Sequence, residues 1–201
     1  MTAPRIKLAA LVAGGKSRRM GQDKALLGWK GTPLWRHQWK ILCALNPERV
    51  VVVAPQPPSW LPSAVQWIKD HDEAGPISPI RPIGPIGGVL SALETVGEGL
   101  VVALAVDLPS MTSDYLARLQ AVCTETTGAV PHTSGGFEPL AAIYPAGAAA
   151  SAREWIGSGH HDFQGWIAQL VEQGMARQVE VGPEEMQLFR NLNTPEDLGN
   201  R

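Results

Sequence analysis

From Leu100 to Val106 the chain reads Leu-Val-Val-Ala-Leu-Ala-Val, an unbroken apolar run that ends at Asp107. A strand with one wet face alternates apolar and polar side chains, so a continuous valine-rich run needs cover on both faces. Other apolar, β-branched runs recur along the chain and alternate with segments of helical periodicity. Strands are expected at Lys7–Val12, Arg49–Ala54, Val65–Ile68, Leu100–Val106, Gly128–Pro131, Leu140–Tyr144 and Arg177–Val181. Helices are expected at Pro33–Leu45, Pro85–Val96, Ser113–Cys123, Gly147–Ile156 and Phe163–Glu172. The pattern reads as an α/β fold, a mostly parallel sheet with helices on both faces. Pro33 and Pro85 suit first helical turns, and Thr112 or Ser113 can cap the third helix. Thr194-Pro195-Glu196-Asp197 reads as a cap, a first-turn proline and acids at the positive end of a last helix. A length of 201 residues suits one domain, residues 1–201, with no internal boundary in the composition.

The charge balance narrows the choice of ligand. Formal net charge is −2, which gives no global basic field for nucleic acid, so an anion site has to be local. The apolar run Leu8–Ala13 is too short for the core of a signal peptide or for a membrane span. Cys43 and Cys123 are the two cysteines, each within an expected helix, and they read as core filling in a reduced compartment. A cytoplasmic protein without membrane or nucleic-acid partners is expected.

Ala13 to Lys24 reads AGGKSRRMGQDK and contains a tempting Gly15-Lys16-Ser17. A Walker A loop needs its first glycine five residues before the second, and that position is Ala10, inside an apolar strand. A dinucleotide fingerprint fails as well, because Gly14, Gly15 and Gly21 have the wrong spacing. There remains a strand running into glycines and then a loop with Lys16, Arg18, Arg19 and Lys24 against a single acid, Asp23. Ligands of open α/β sheets sit beyond the carboxyl ends of strands, where glycine frees backbone N–H groups to wrap an anion. Arginine adds a planar fork for phosphate oxygens and lysine a mobile point charge. Asp107 closes another strand, and an acid there suits a hard cation such as Mg²⁺. A solvated basic loop and a turn aspartate are the bland alternatives. Taken together, the two strand ends point to metal-assisted phosphoryl or nucleotidyl transfer.

The segment Gly75–Gly88 places Pro76, Pro79, Pro82 and Pro85 at intervals of three. Its first half reads as a polyproline-like surface loop, and its second half, from Gly84, opens a helix with glycines that let backbone approach a ligand. Other features carry less. His160, His161 and Asp162 are adjacent and cannot easily converge on one ion, so Ser158–Phe163 reads as a polar helix start. His37 and His132 are isolated, and Trp35 with Trp39, four apart, reads as a core stripe.

The stretch LVAGGKSRRMGQDKALL resembles the N-terminal signature of nucleotidyltransferases, most closely that of molybdenum cofactor guanylyltransferases. Gly14-Gly15, Arg19-Met20-Gly21 and Asp23-Lys24-Ala25 fit the guanylyl version. The resemblance continues, in family order, through Gly31–Gln38, Gly84–Leu93, Ala105–Met111, Glu138–Pro145 and Asn191–Leu198. It implies a Rossmann-like three-layer αβα nucleotidyltransferase and transfer of GMP from GTP to molybdopterin, with pyrophosphate released. Carried over by position, it implies that Val12, Ala13 and Gly14 line the guanosine side of the loop, beside Gly15 and Gly21, whose backbone N–H groups the residue pattern already assigns to the anion, and Gly84 and Gly87, which it places at the helix start. Lys24 would contact the phosphates, Arg19 would stabilise charge during transfer, and Asp107 would ligate Mg²⁺. Asp70 would contact the nucleotide, and Asn191 with Asn193 would lie near the pterin. Transient contacts with cofactor-inserting proteins or molybdoenzymes are implied too.

The chain also departs from the family pattern. Val53 stands where members often carry asparagine, and the loop between Met20 and Lys24 is one residue shorter than in some members. The proline-rich segment lengthens the approach to Gly84, and Asp72 competes with Asp70 for the same role. Runner-up readings are a molybdopterin cytidylyltransferase, a sugar-phosphate nucleotidyltransferase, and a non-catalytic GTP-binding module that delivers cofactor.

Overall fold

A computed structural model of the protein describes residues 4–13, 23–71 and 83–192. Its strands are β1 (Ile6–Val12), β2 (Gly28–Trp29), β3 (Thr32–Pro33), β4 (Arg49–Ala54), β5 (Trp67–Lys69), β6 (Leu100–Ala105), β7 (Gly128–Thr133), β8 (Gly136–Phe137), β9 (Ala141–Pro145) and β10 (Ala176–Glu180). Its helices are α1 (Leu34–Ala44), α2 (Pro85–Leu93), α3 (Ser113–Val122), α4 (Ala148–Gly157) and α5 (Phe163–Glu172). The central sheet runs β10-β7-β9-β6-β1-β4-β5, with β8 paired to β7. Pairings β5–β4, β4–β1, β1–β6 and β7–β10 are parallel, while β9 runs antiparallel to both β6 and β7.

Side-chain alternation explains the layers. Along β6, Leu100, Val102 and Leu104 join one core cluster, whereas Val101 and Ala103 join the other. Both sets are fully buried, as the period-two geometry of a strand between two layers requires. The first cluster lies under α1 and α3 with Leu34, Leu42, Leu116 and Leu119, and the second lies under α2, α4 and α5 with Ile86, Leu90, Trp166 and Ile167. The result is a three-layer α/β fold with a mostly parallel sheet. Among the described residues no helix is long and apolar enough to cross a membrane.

Most expected elements form within a residue or two of their expected bounds. The expected strand Val65–Ile68 forms later, as Trp67–Lys69. Pro33 sits one residue before α1, at its cap position, and Thr112 rather than Ser113 caps α3 by accepting from the Tyr115 N–H at 3.2 Å. Pro85 does open α2. Two short hairpins, β2–β3 and β7–β8, carry no alternating apolar run long enough to reveal them. In the first, Lys30 and Gly31 both take positive φ, 46° and 79°, the two-residue turn that matches strand twist. One expectation on the cysteines is overturned: Cys43 lies on the exposed side of α1, and only Cys123 is buried. The expected helix from Thr194 and the proline run between Gly75 and Pro82 lie outside the described residues.

The start of β7 allows no side chain. A Cβ built on Gly128 would lie 2.0 Å from the backbone oxygen of Ile143 in β9. Gly128→Ala therefore has to push two central strands apart. We expect it to destabilise the fold by about 3 kcal/mol and to lower Tm by about 10 °C in a thermal melt.

Candidate active site

Four parallel strands end at one edge of the sheet, and backbone bonds lock their ends in line. The Ala13 N–H donates to the Val53 carbonyl at 2.9 Å, the Val106 N–H to the Val12 carbonyl at 3.1 Å, and the Asp70 N–H to the Ala54 carbonyl at 3.0 Å. This sets Val12, Ala13, Asp70 and Asp107 along the same rim. Asp70 is 3% exposed. It is held close to the second turn of α2, where a Cβ on Gly88 would lie 3.4 Å from both Asp70 Oδ2 and Val12 Cγ1. Gly88, the last residue of the glycine-bearing helix start, thus marks where α2 packs beside both, and a Cβ there would meet them at ordinary contact distance.

Gly84 precedes α2 with φ 76°, a conformation that disfavours side chains, and its carbonyl accepts from the Gly87 N–H at 2.9 Å. Glycine at this point turns the chain into the helix start, and Ser91 ties the next turn by donating to the Gly87 carbonyl at 2.9 Å. The same Ser91 oxygen accepts from the His71 N–H at 3.1 Å, so the segment after β5 is pinned to α2 right beside Asp70.

Lys24 starts a 3-10 turn, Lys24–Leu26, that Asp23 caps. The Lys24 Nζ lies 3.2 Å from Asp107 Oδ2, with both side chains partly shielded, and joins residues 83 positions apart. Asp107 is in turn fixed from two sides. Its carbonyl accepts from the Leu192 N–H at 2.9 Å, which brings the segment with Asn191 to the rim, where Asn191 is exposed. From α1, the Gln38 side-chain amide donates to the Leu108 carbonyl, and His37 Nε2 lies 3.1 Å from the Pro109 carbonyl. A carbonyl only accepts, so His37 carries its proton on Nε2. Burial holds the imidazole's pKa below its ordinary value, outweighing that bond to Pro109.

Sequence reasoning misses Gln38, and it leaves His37 as an isolated structural or surface residue, without the carbonyl that it meets. The available signal is a glutamine inside the apolar stripe of α1, where it is 0% exposed. At the far side of the rim, Glu138 accepts from the Thr133 hydroxyl at 3.3 Å, and burial raises its pKa above the usual carboxylate range. Val53 is also 0% exposed and packs into the core under α2, so it presents nothing to the rim. Asp162 caps α5, accepting from the Gly165 N–H at 2.6 Å. Among the described residues no group of three or more His, Cys, Asp or Glu could hold a metal ion. Gly14, Gly15, Arg19, Gly21, Asp72 and Asn193 lie outside the described residues.

A glycine-bearing sequence after Val12 and an acid after the parallel neighbour of β1, on a three-layer sheet, are what a nucleotidyltransferase-like class calls for. Solved structures share that fold. One is molybdopterin-guanine dinucleotide biosynthesis protein A from Archaeoglobus fulgidus, with a TM-score of 0.68, 24% identity, and coverage of 96% of this chain and 95% of that one. Another is 2-C-methyl-D-erythritol 4-phosphate cytidylyltransferase from Thermus thermophilus, with a TM-score of 0.65, 16% identity, and coverage of 97% and 96%. Residues 9–174 match the family model of the MobA-like NTP transferase domain, and the chain belongs to that family. A relative from Opitutus terrae named probable molybdenum cofactor guanylyltransferase is 36% identical over 94% of this chain and 91% of its own. A protein of the same name from Synechococcus elongatus is 33% identical over 94% of each.

The tether from α1 makes a pH-dependent prediction. Gln38→Glu places a carboxyl, fully buried, against the Leu108 carbonyl. Its charged form is disfavoured in the fold, so the folded pKa rises above the unfolded value of about 4.3. Near pH 4 the group is neutral, can donate to the carbonyl, and the variant should melt close to wild type. As pH rises past the unfolded pKa the penalty grows until the folded pKa is passed, reaching about 3 kcal/mol. Melts from pH 4 to pH 8 check this.

Proposed function

We propose that the protein transfers GMP from GTP to the molybdopterin-bound molybdenum cofactor and releases pyrophosphate. The observation that carries this reading is the 3.2 Å approach of Lys24 Nζ to Asp107 Oδ2, which joins the 3-10 turn that follows the glycine-rich sequence to the strand-end acid. The names of the relatives, probable molybdenum cofactor guanylyltransferase, support a guanylyl group as the moiety transferred and the molybdenum cofactor as its acceptor. In the reaction, an oxygen of the cofactor's terminal phosphate attacks the α-phosphorus of GTP. A new P–O bond forms in line as the bond to the β-phosphate breaks, and pyrophosphate leaves with those electrons. No covalent enzyme intermediate is needed, so positioning and charge neutralisation set the rate.

The chain's own groups divide the work. Val12, Ala13 and Asp70 line the nucleotide side of the rim, and Asn191 lies towards the acceptor. With no triphosphate bound, Lys24 is held by Asp107; with it bound, Lys24 turns to the phosphate oxygens, and Arg19 adds a second cation. Asp107 is then available to a divalent cation. A magnesium ion takes one or two protein carboxylates and fills its shell with phosphate oxygens and water, which suits the partly shielded carboxylate of Asp107. When bound, that ion would neutralise the phosphates and stabilise the leaving pyrophosphate. A reduced, cytoplasmic setting and transient docking to cofactor-inserting proteins complete the proposal.

Burial of Val53 favours one second reading. Where the family pattern often carries asparagine, this chain has a core valine that cannot hydrogen-bond a base through its side chain, so cytosine is the alternative base. Pyrophosphate release with each of the four nucleotides and loaded cofactor distinguishes the two readings. Release with GTP alone supports guanylyl transfer, release with CTP supports the alternative, and tight GTP binding without release supports a delivery module.

Two substitutions test the roles. Lys24→Ala should lower turnover about tenfold or more, with circular dichroism unchanged. Asp107→Asn keeps shape and one acceptor oxygen but loses charge, so turnover should fall about a hundredfold and recover only in part with added Mg²⁺. A wild-type rate and metal dependence for Asp107→Asn would remove that residue from the site.

A further inference from the structure

Trp60 lies in the connection between β4 and β5, and nothing in the proposed reaction uses it. Its ring stacks on Trp35 of α1, with centroids 5.2 Å apart and planes at 25°. Trp35 is itself core, 6% exposed. From that anchor the Trp60 Nε1–H donates to Asp23 Oδ2 at 2.7 Å. The other oxygen of the same carboxylate, Oδ1, accepts from the N–H of Ala25 at 3.0 Å, and Ala25 is fully buried. Lys24 stands between these two fixed residues, with its amine on Asp107.

We propose that Trp60, acting through Asp23, is a positioning residue for Lys24. This rests on the reading that Lys24 meets the triphosphate. The indole carries the rigidity of α1 out to an exposed carboxylate, and the carboxylate fixes the backbone on either side of the lysine. A long, flexible amine then starts from a defined point, so less side-chain freedom is lost when it closes on phosphate. The arrangement also moderates a conflict. Asp23 is an acid next to an anion site, and donors on both of its oxygens disperse charge that would otherwise repel phosphate.

Calorimetric titration with inorganic triphosphate tests the proposal on the intact chain. Trp60→Phe keeps a six-membered ring to stack on Trp35 and removes the donor together with the pyrrole part of the indole. It should weaken triphosphate binding about three- to tenfold, with Tm little changed. In a Lys24→Ala background the same substitution should have no further effect, because the residue it positions is gone. Asp23→Asn still accepts from Ala25 but presents a donor to the indole N–H, so its affinity should also fall. That sign is opposite to the effect of deleting an acid beside an anion site. Unchanged affinity in Trp60→Phe, an undiminished loss in the Lys24→Ala background, or a rise in Asp23→Asn would each overturn the assignment. Triphosphate binding needs neither base nor acceptor. A protein that shows this dependence yet transfers no GMP would sink the proposed reaction and leave the clamp standing. Transfer that is intact and indifferent to Trp60 would do the reverse.

Discussion

A strand buried on both faces has no water to turn to, so its backbone groups have to be paired with neighbouring strands along its whole length. Strands β1 and β6 are in that position, and they pair with each other in parallel from Leu8 and Val101 to Val12 and Ala105. The constraint is relaxed only where the ladder stops. There the chain emerges from cover, polar side chains become tolerable, and the next residues are free to bind something other than the sheet. Parallel pairing forces both strands to stop at the same edge. The residues after Val12 and the acid after Val106 therefore become neighbours without any long-range contact being designed for that purpose.

That shared edge creates a problem of like and unlike charges in partial shelter. Asp107 sits where its carboxylate is partly desolvated, and Lys24 meets it at 3.2 Å. A single partly shielded pair of this kind, part of whose attraction goes to offset desolvation, adds little to stability. Its value is positional, since it holds a cation at the rim in a place that an incoming anion can take over. The supports are built in the same way on both members. The Gln38 amide and the His37 imidazole grip the carbonyls that come after Asp107, and Asp23 caps the turn that carries Lys24. Polar groups of α1 and the loops thus set the geometry, while the apolar cores on either face hold the platform together.

The sequence shows the platform far better than it shows the supports. Runs such as Leu100–Val106 announce buried strands because covering both faces leaves no room for polar side chains. Helix starts at Thr112 and Pro85 are legible because capping and proline chemistry are local. The site acids can be placed at strand ends by the same logic. Gln38 is less legible: a single amide in an apolar stripe gives no hint of which carbonyl, 70 residues away, it will meet. The antiparallel course of β9 between β6 and β7 is equally hidden, because its apolar run does not encode direction. Cys43 misleads for a related reason. A small residue near the end of a helix fits either face, and α1 turns it outward.

The central place of β1 also shapes how the chain is made. Its two partners are β4, which begins at Arg49, and β6, which begins at Leu100. On a ribosome adding about 5–20 residues per second, the second partner emerges after the first strand by on the order of ten seconds. Throughout that interval one hydrogen-bonding edge and much of the apolar surface of β1 lack their final cover. The strand that anchors the finished sheet is thus the one longest at risk during synthesis. Pairing across so much intervening chain also places a large closure entropy ahead of the native state. The geometry that brings the rim together leaves the newborn chain dependent on protection until its middle has emerged.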